Sequence, residues 1–247
     1  MRAEIFDETI SSAAFWQGLA IMEKARLAPA RDYRWRASEI GKCEIAQLLG
    51  AHGIVPDEPS GEELLKFRFG SVGEKIVLDA ISAGLGEGQV LHEQVEVGLP
   101  DLNLGGHVDG VVYDTDSGAA IEVIEVKTFN SWYWKHLSEE GIENAYFYGQ
   151  LQAYAQMLAQ PVTLIVLERN TPMFHALPVP PNEDYWKDVA AAIKVLDAYY
   201  EEGIFPSLEA LTGDVACSFC QYRNICQNGH ADLSVLLKEH QEQDAAL

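Results

Sequence analysis

The chain has 247 residues, 48% of them hydrophobic, which is enough for one sizeable core, and no apolar run approaches the roughly 18 residues that span a bilayer. Its formal charge of −21 argues against nucleic-acid affinity spread over the whole surface, because phosphate is drawn by local cations and repelled by an acidic field. "MRAEIFDETI" has no basic-then-apolar leader pattern, so the expectation is a soluble, intracellular (cytoplasmic) protein that engages no membrane.

Helix-like spacing runs over residues 8–27 and again over 38–50, where Ser38 is a plausible N-cap. Six of the seventeen basic residues fall from residue 24 to residue 42: Lys24, Arg26, Arg31, Arg34, Arg36 and Lys42. Tyr33 and Trp35 interleave them, so the segment reads either as a phosphate- or base-contacting patch or as a solvated stretch whose aromatics enter the core. A longer helix is predicted over 61–84 despite Gly70 and Gly73. Each glycine costs a helix roughly 1 kcal/mol relative to alanine, and two close together suggest tight packing or approach to a ligand.

A β region follows. "QVLHEQVEVGL" alternates, "LGGHVDGVVYD" is a second strand, and "DTDSG" turns the chain into "AAIEVIEVKT". The turn is not a calcium loop, although Glu125 occupies the twelfth position counted from Asp114. The glycine needed sixth is Ala119, and strand follows where a helix is required. Next come the mixed stretch "SWYWKHLSEEG", a helix over "ENAYFYGQLQAYAQMLAQ" stopped by Pro161, the buried strand "VTLIVLER" and the edge strand "MFHALPV". A helix over about 183–202 and a polar tail after Cys226, ending in a short helix, complete the chain. Without repeats or a low-complexity linker, one α/β domain is the simplest partition.

"IEVIEVKT" holds the chemical signal. In a strand, Glu125 and Lys127 share a face with Ile121 and Val123, so two unlike charges sit on a mostly apolar surface. They form either a structural ion pair or a catalytic one. Asp109, in "GGHVDG", lies on the strand before. Paired strands run about 5 Å apart, so with suitable register Asp109 and Glu125 converge on one hard cation. Lys127 then stands beside an attacking water or a developing oxyanion.

Asp109 followed by Glu125-Val126-Lys127 resembles the acidic core of the PD-(D/E)XK nuclease superfamily, with Gly110 rather than proline beside the aspartate. Glu74, in "GSVGE", resembles the G-x-x-x-E element of some branches. Gln150 and Tyr154, in "QLQAY", resemble the Q-x-x-x-Y motif of the RecB-like branch, and their i, i+4 spacing puts them on one helical face. The resemblance implies metal ligation at Glu74, Asp109, Glu125 and Val126, assistance to the nucleophile by Lys127, and positioning by Gln150 and Tyr154. In one respect the chain departs from it. Many RecB-like nucleases carry a histidine directly before the helix glutamate, and Gly73 stands there instead. His107 shares a face with Asp109 but reads as an ordinary strand histidine.

The four cysteines are Cys43, Cys217, Cys220 and Cys226. By count and spacing alone they suit Zn²⁺ or a [4Fe–4S] cluster, with zinc slightly favoured, and disulfides are not expected inside a cell. One cysteine before the nuclease core and three after it, as C-x₂-C-x₅-C, resembles the iron–sulphur staple of CRISPR-associated and AddAB-type exonucleases, which implies the cluster. The aromatics from Phe129 to His136 are either a platform for unpaired bases or core packing.

The sequence therefore predicts a restriction-endonuclease-like α/β fold, a mixed central sheet flanked by helices. The nuclease core is 61–202, and 1–60 with 203–247 form a helical iron–sulphur subdomain from both ends. The implied activity is a Mg²⁺- or Mn²⁺-dependent deoxyribonuclease that digests DNA from ends, acting on single-stranded DNA or free ends, with a homo-oligomer or DNA-processing partner proteins as further associations. The alternative is a weakly catalytic or non-catalytic assembly partner in a DNA-processing complex.

Overall fold

The computed structural model describes residues 10–24, 33–206, 217, 220–228, 235 and 237, with side chains in the first helix limited to 14–21. Arg26, Arg31, the Lys24 side chain and most of the tail helix expected after Cys226 lie outside the described residues. Helix α1 (Ile10–Lys24) packs on α3 (Gly61–Gly84).

Between these helices the structure differs from the periodic reading. Trp35–Arg36 form a short strand, β1, Ala37–Glu39 make one 3₁₀ turn, and helix α2 starts only at Glu44 and ends at Ala51. Ser38 is not its N-cap, a place taken by Cys43. The interruption is Gly41, whose φ of +80° lies in the left-handed region closed to a continuing right-handed helix. The apolar spacing still marks burial: Trp35, Ala37, Ile40, Ile45, Leu48 and Leu49 are all core residues.

Helix α3 spans the expected range. The Ser60 hydroxyl accepts from the Glu63 N–H, and the Glu63 carboxylate accepts from the Ser60 N–H, a reciprocal cap that starts the helix. Its glycines answer to packing. A Cβ on Gly73 would stand 2.5 Å from Thr128 Cγ2, so only glycine lets the helix backbone lie this close to the strand that carries Lys127.

Strands β2 (Gln89–Leu99), β3 (Leu104–Asp114), β4 (Ala120–Phe129), β5 (Val162–Glu168) and β6 (Phe174–Val179) complete a six-stranded mixed sheet with β1. β1–β3 and β4–β5 are parallel pairs, and the other pairs are antiparallel. Asp114 organises the β3–β4 turn by accepting from the Asp116 and Ser117 N–H groups, which is the hairpin expected there. β6 pairs with β5 alone, as an edge strand. Past β4, Asn130 caps helix α4 (Ser131–Glu140). The next helix, α5 (Tyr148–Leu158), is shorter than its sequence pattern. Residues 142–144 form a 3₁₀ turn and Ala145 is extended, so the helix opens at Tyr148. Helix α6 (Glu183–Glu202) matches its expected range, and α7 (Arg223–Asn228) follows the paired cysteines.

Helices cover the sheet. α3 sets Val77 and Leu78 against Val112, Ile124, Val126 and Ile165. The larger core gathers Val123, Leu164 and Val166 of the sheet with Leu151 and Ala155 of α5 and Ile193 and Leu196 of α6. The fold is the mixed α/β arrangement that the sequence predicts.

Candidate active site

The sheet splits at the site. β2 occupies one edge of β3 along its whole length, so β1 and β4 must share the other: β1 pairs at Leu104–Gly105 and β4 at Gly110–Tyr113. Between them, residues 106–109 have no strand on that second edge. β4 leaves β3 beyond Ile124, the partner of Gly110, and continues on β5 alone. Asp109 and Glu125 are the next positions along these two strands, and they face the opening.

Three elements fill the cleft with polar groups. Lys127 Nζ donates to Glu125 Oε1 at 2.6 Å and to Gln150 Oε1 at 3.0 Å. Gln150 Nε2 donates to Glu125 Oε1 at 2.8 Å and to the Tyr154 hydroxyl at 3.2 Å. Tyr154 donates in turn to the His107 carbonyl at 2.7 Å, which satisfies a β3 backbone group that the split leaves without a ladder partner. α5 therefore closes the gap with one Gln–Tyr face, the reason for the i, i+4 spacing. Asp109 is tied to β4 through its Oδ2, which accepts from the Val126 N–H at 2.7 Å.

Glu125 is 2% exposed, and its Oε2 is buried without a hydrogen-bond partner. Burial, aggravated by the Asp109 and Glu74 charges and opposed by Lys127, pushes its carboxyl up to about 8. Asp109 is also raised, by loss of water first. Burial alone would lower the Lys127 ammonium, but the Glu125 and Asp109 charges overcome it and hold the amine protonated.

Glu74 approaches from α3, where the structure brings it to Asp109 through a residue absent from the predicted set. Gln94 Nε2 donates to Glu74 Oε1 at 2.7 Å and lies 3.5 Å from Asp109 Oδ1. Its φ of +52° is left-handed, a conformation that costs a non-glycine residue on the order of 1–2 kcal/mol. Nothing in the alternation of "QVLHEQVEVGL" distinguishes this glutamine from its polar neighbours. Among the described residues no three His, Cys, Asp or Glu side chains converge as a ready-made cage for one ion. The residue types nonetheless suit a hard cation: Asp109 and Glu125 lie at the Lys127 ammonium, Glu74 is joined to Asp109 through Gln94, and one buried oxygen of Glu125 has no partner.

Other predicted residues fare differently. Trp35 is 1% exposed and donates from Nε1 to Asp197 at 2.9 Å. Arg34 pairs with Asp197 and Glu201 and lies over the Tyr200 ring. That half of the basic segment is therefore core and tether, not a free patch. Lys42 remains near the site. Its ammonium is lowered by loss of water first, with the Lys127 and Arg36 charges adding to the effect. The aromatics also divide. Phe129 stacks on Phe147 in the core, whereas Trp132 is 72% exposed and lies parallel to His136.

The four cysteines form no disulfide and line a single cavity of about 50 Å³. Burial first, and then the neighbouring thiols, push Cys220 and Cys226 up. The segment after α2 fastens the C-terminal cysteines: the Asp57 N–H donates to the Gln221 carbonyl, and the Asp57 carboxylate accepts from the Asn224 N–H.

One of the solved structures similar to this chain superposes well enough to share its fold. An alkaline exonuclease, LHK-Exo from Laribacter hongkongensis, in complex with dAMP, superposes with a TM-score of 0.52 at 15% identity, covering 68% of this chain and 88% of that one. Another structure of LHK-Exo gives 0.45 at 11% identity over 80% and 83% of the two chains. The protein SSO0001 gives 0.48 at 13% identity over 89% and 98%. No curated protein matches the sequence. A family profile, that of the PD-(D/E)XK nucleases, matches residues 62–227, about two thirds of the chain and the whole of the cleft just described. This chain belongs to the PD-(D/E)XK nuclease superfamily.

Proposed function

We propose that the protein is a Mg²⁺- or Mn²⁺-dependent deoxyribonuclease that hydrolyses phosphodiester bonds from DNA ends. The observation that carries this reading is the buried Glu125–Lys127–Gln150 network facing Asp109 where the sheet splits. Glu74, Asp109 and Glu125 would hold the cation, with Val126 beside it. When bound, such a cation neutralises phosphate charge and makes water a better nucleophile.

The chain's own residues supply the rest. Lys127 keeps a permanent positive charge next to the reacting phosphate, where it stabilises the developing oxyanion. Gln150 restrains both Lys127 and Glu125, so neither is free to rotate away. Tyr154, whose hydroxyl burial raises far above its ordinary value, stays a neutral donor and locks β3 to α5. Arg36 and Lys42 add local cations for backbone phosphates, which an acidic protein needs at its site.

The same proposal assigns the four cysteines to a [4Fe–4S] cluster, in a helical unit built from 1–60 and 203–247 around a core of 61–202. A cluster binds one thiolate per iron, so its sulphurs ring a volume. Zinc draws four sulphurs to about 2.3 Å from one point. What supports this assignment is the C-x₂-C-x₅-C spacing together with Cys43 on the wall of the same cavity; among the described residues the four do not gather as a ready-made metal group.

The test is end-labelled linear DNA incubated with purified protein and Mn²⁺, beside a Lys127→Ala control. Metal-dependent loss of label by the wild type, reduced at least ~100-fold in the variant, is expected for a lost charge-stabilising group. Equal rates would remove Lys127 from the chemistry. No cleavage by either would favour the assembly-partner reading. For the cluster, an anaerobic preparation should be brown and absorb near ~400 nm. A colourless preparation containing zinc overturns that assignment.

A further inference from the structure

The link between Glu74 and Asp109 comes from outside the recognised motifs. The β2–β3 ladder runs from Gln89 to Leu99 and skips one residue: Glu93 pairs with Gly110, Val95 pairs with Val108, and Gln94 between them faces Asp109 without pairing. Among the described residues three non-glycines have positive φ. Asn103 and Ala159 end a 3₁₀ turn and a helix, where this conformation is common. Gln94 is the one inside a strand. An inverted backbone at this point persists only if its surroundings hold it, and such outliers gather at functional sites. Here the consequence is visible. The inversion delivers the side-chain amide to Glu74 Oε1 and Asp109 Oδ1.

A donor between two carboxylates does what a cation there would do. A cation entering the same place competes for the same lone pairs and repels the amide N–H₂. The carboxamide has a second end of nearly the same shape, and turning its last torsion replaces the donor with a carbonyl oxygen without moving the stem. Carbonyl oxygens of glutamine are hard ligands of the kind divalent cations take. We propose that Gln94 serves the divalent cation in two states: without the ion, Nε2 holds Glu74 and Asp109 together by hydrogen bonds, and with it, Oε1 turns inward and joins them as a ligand. The inference rests on the metal-dependent reading above and adds a residue to it.

Mn²⁺ titration calorimetry on the full chain, without DNA, separates the two. Wild type, Asp109→Asn, Gln94→Gly and Gln94→Glu are compared. Glycine suits the left-handed backbone, so Gln94→Gly removes the side chain without adding strain. Gln94→Glu keeps an oxygen and loses the donor. Gln94→Gly is expected to bind Mn²⁺ about tenfold more weakly, in the range found for supporting residues of metal sites. Gln94→Glu should bind at least as tightly as wild type, yet melt lower in chelator, where a fourth carboxylate is added to Glu74, Asp109 and Glu125. Equal or tighter binding by Gln94→Gly overturns the proposal, and so does Gln94→Glu binding as weakly as glycine. Should Gln94→Gly unfold, Gln94→Asn, whose shorter stem withdraws the oxygen, replaces it under the same criteria. Wild type binding Mn²⁺ no better than Asp109→Asn instead overturns the metal site itself, whatever the Gln94 variants do.

Discussion

Glu125 carries the largest electrostatic burden of any single side chain in the cleft. It is buried, flanked by two further carboxylates, and relieved by one amine and one amide. The unfolded chain gives up this proton near the ordinary value of about 4.5, and the folded chain near about 8. Between these values the unfolded state holds fewer protons, so stability from this group falls as pH rises and is flat below the lower one. In chelator, the melting temperature of the wild type should therefore drop more steeply from pH 5 to pH 8 than that of Glu125→Gln. Parallel curves would show that burial does not perturb the group. That Glu125 and Lys127 share a face, and Gln150 and Tyr154 another, was legible from residue type and spacing, because alternation in a strand and i, i+4 in a helix are local rules. Gln94 was not legible. Its role depends on an inverted φ and on a neighbour twenty residues away in α3.

Elements were read best where one periodicity ran uninterrupted. α3, α6 and the β2–β4 strands match their patterns, whereas α2 and α5 start later than the apolar spacing suggests. In both, burial continues through non-helical backbone, so periodicity reports which side chains are inside and not where the helix begins. Gly73 shows the complementary limit. In the sequence it is a missing histidine, but in the fold it is the contact surface of α3 on β4, with Thr128 where a Cβ would go. Gly73→Ala should thus destabilise the protein by about 1–3 kcal/mol through overpacking, even though alanine favours a helix by roughly 1 kcal/mol. Urea unfolding would measure it, and Thr128→Ser in the same chain should recover part of the loss. A neutral or stabilising Gly73→Ala would mean that the helix shifts without cost.

At the scale of the molecule, charge and connectivity set the terms. On the proposed reading a chain of −21 needs its cations placed against a polyanion, and Lys42 lies close enough to Lys127 and Cys220 to feel the charge of both. Lys42→Ala should raise KM for DNA several-fold with little change in kcat. Its dependence of log KM on log salt should be shallower by roughly 0.7–0.9, the share of one phosphate contact. An unchanged slope would place Lys42 off the DNA path. The cysteines show the same dependence on connectivity. Their spacing reads as that of a chelating set, and although no metal-holding group gathers among the described residues, the fold closes Cys43 against a segment more than 170 residues later, through Asp57 and the apolar contacts of Ile45, Leu49 and Tyr222.

By itself the sequence determined the inventory: which acids, which amine, which thiols, and the order in which helices and strands present them. Each of those depends on a residue's own chemistry and on neighbours within a few positions. Only the tertiary structure decided that the sheet splits between β1 and β4, that Arg34 and Trp35 join α6 instead of facing solvent, and that a strained glutamine stands between two acids. Those outcomes arise because distant strands compete for one edge of β3 and because charged groups settle on whichever partner the packing brings within reach, and local pattern records neither.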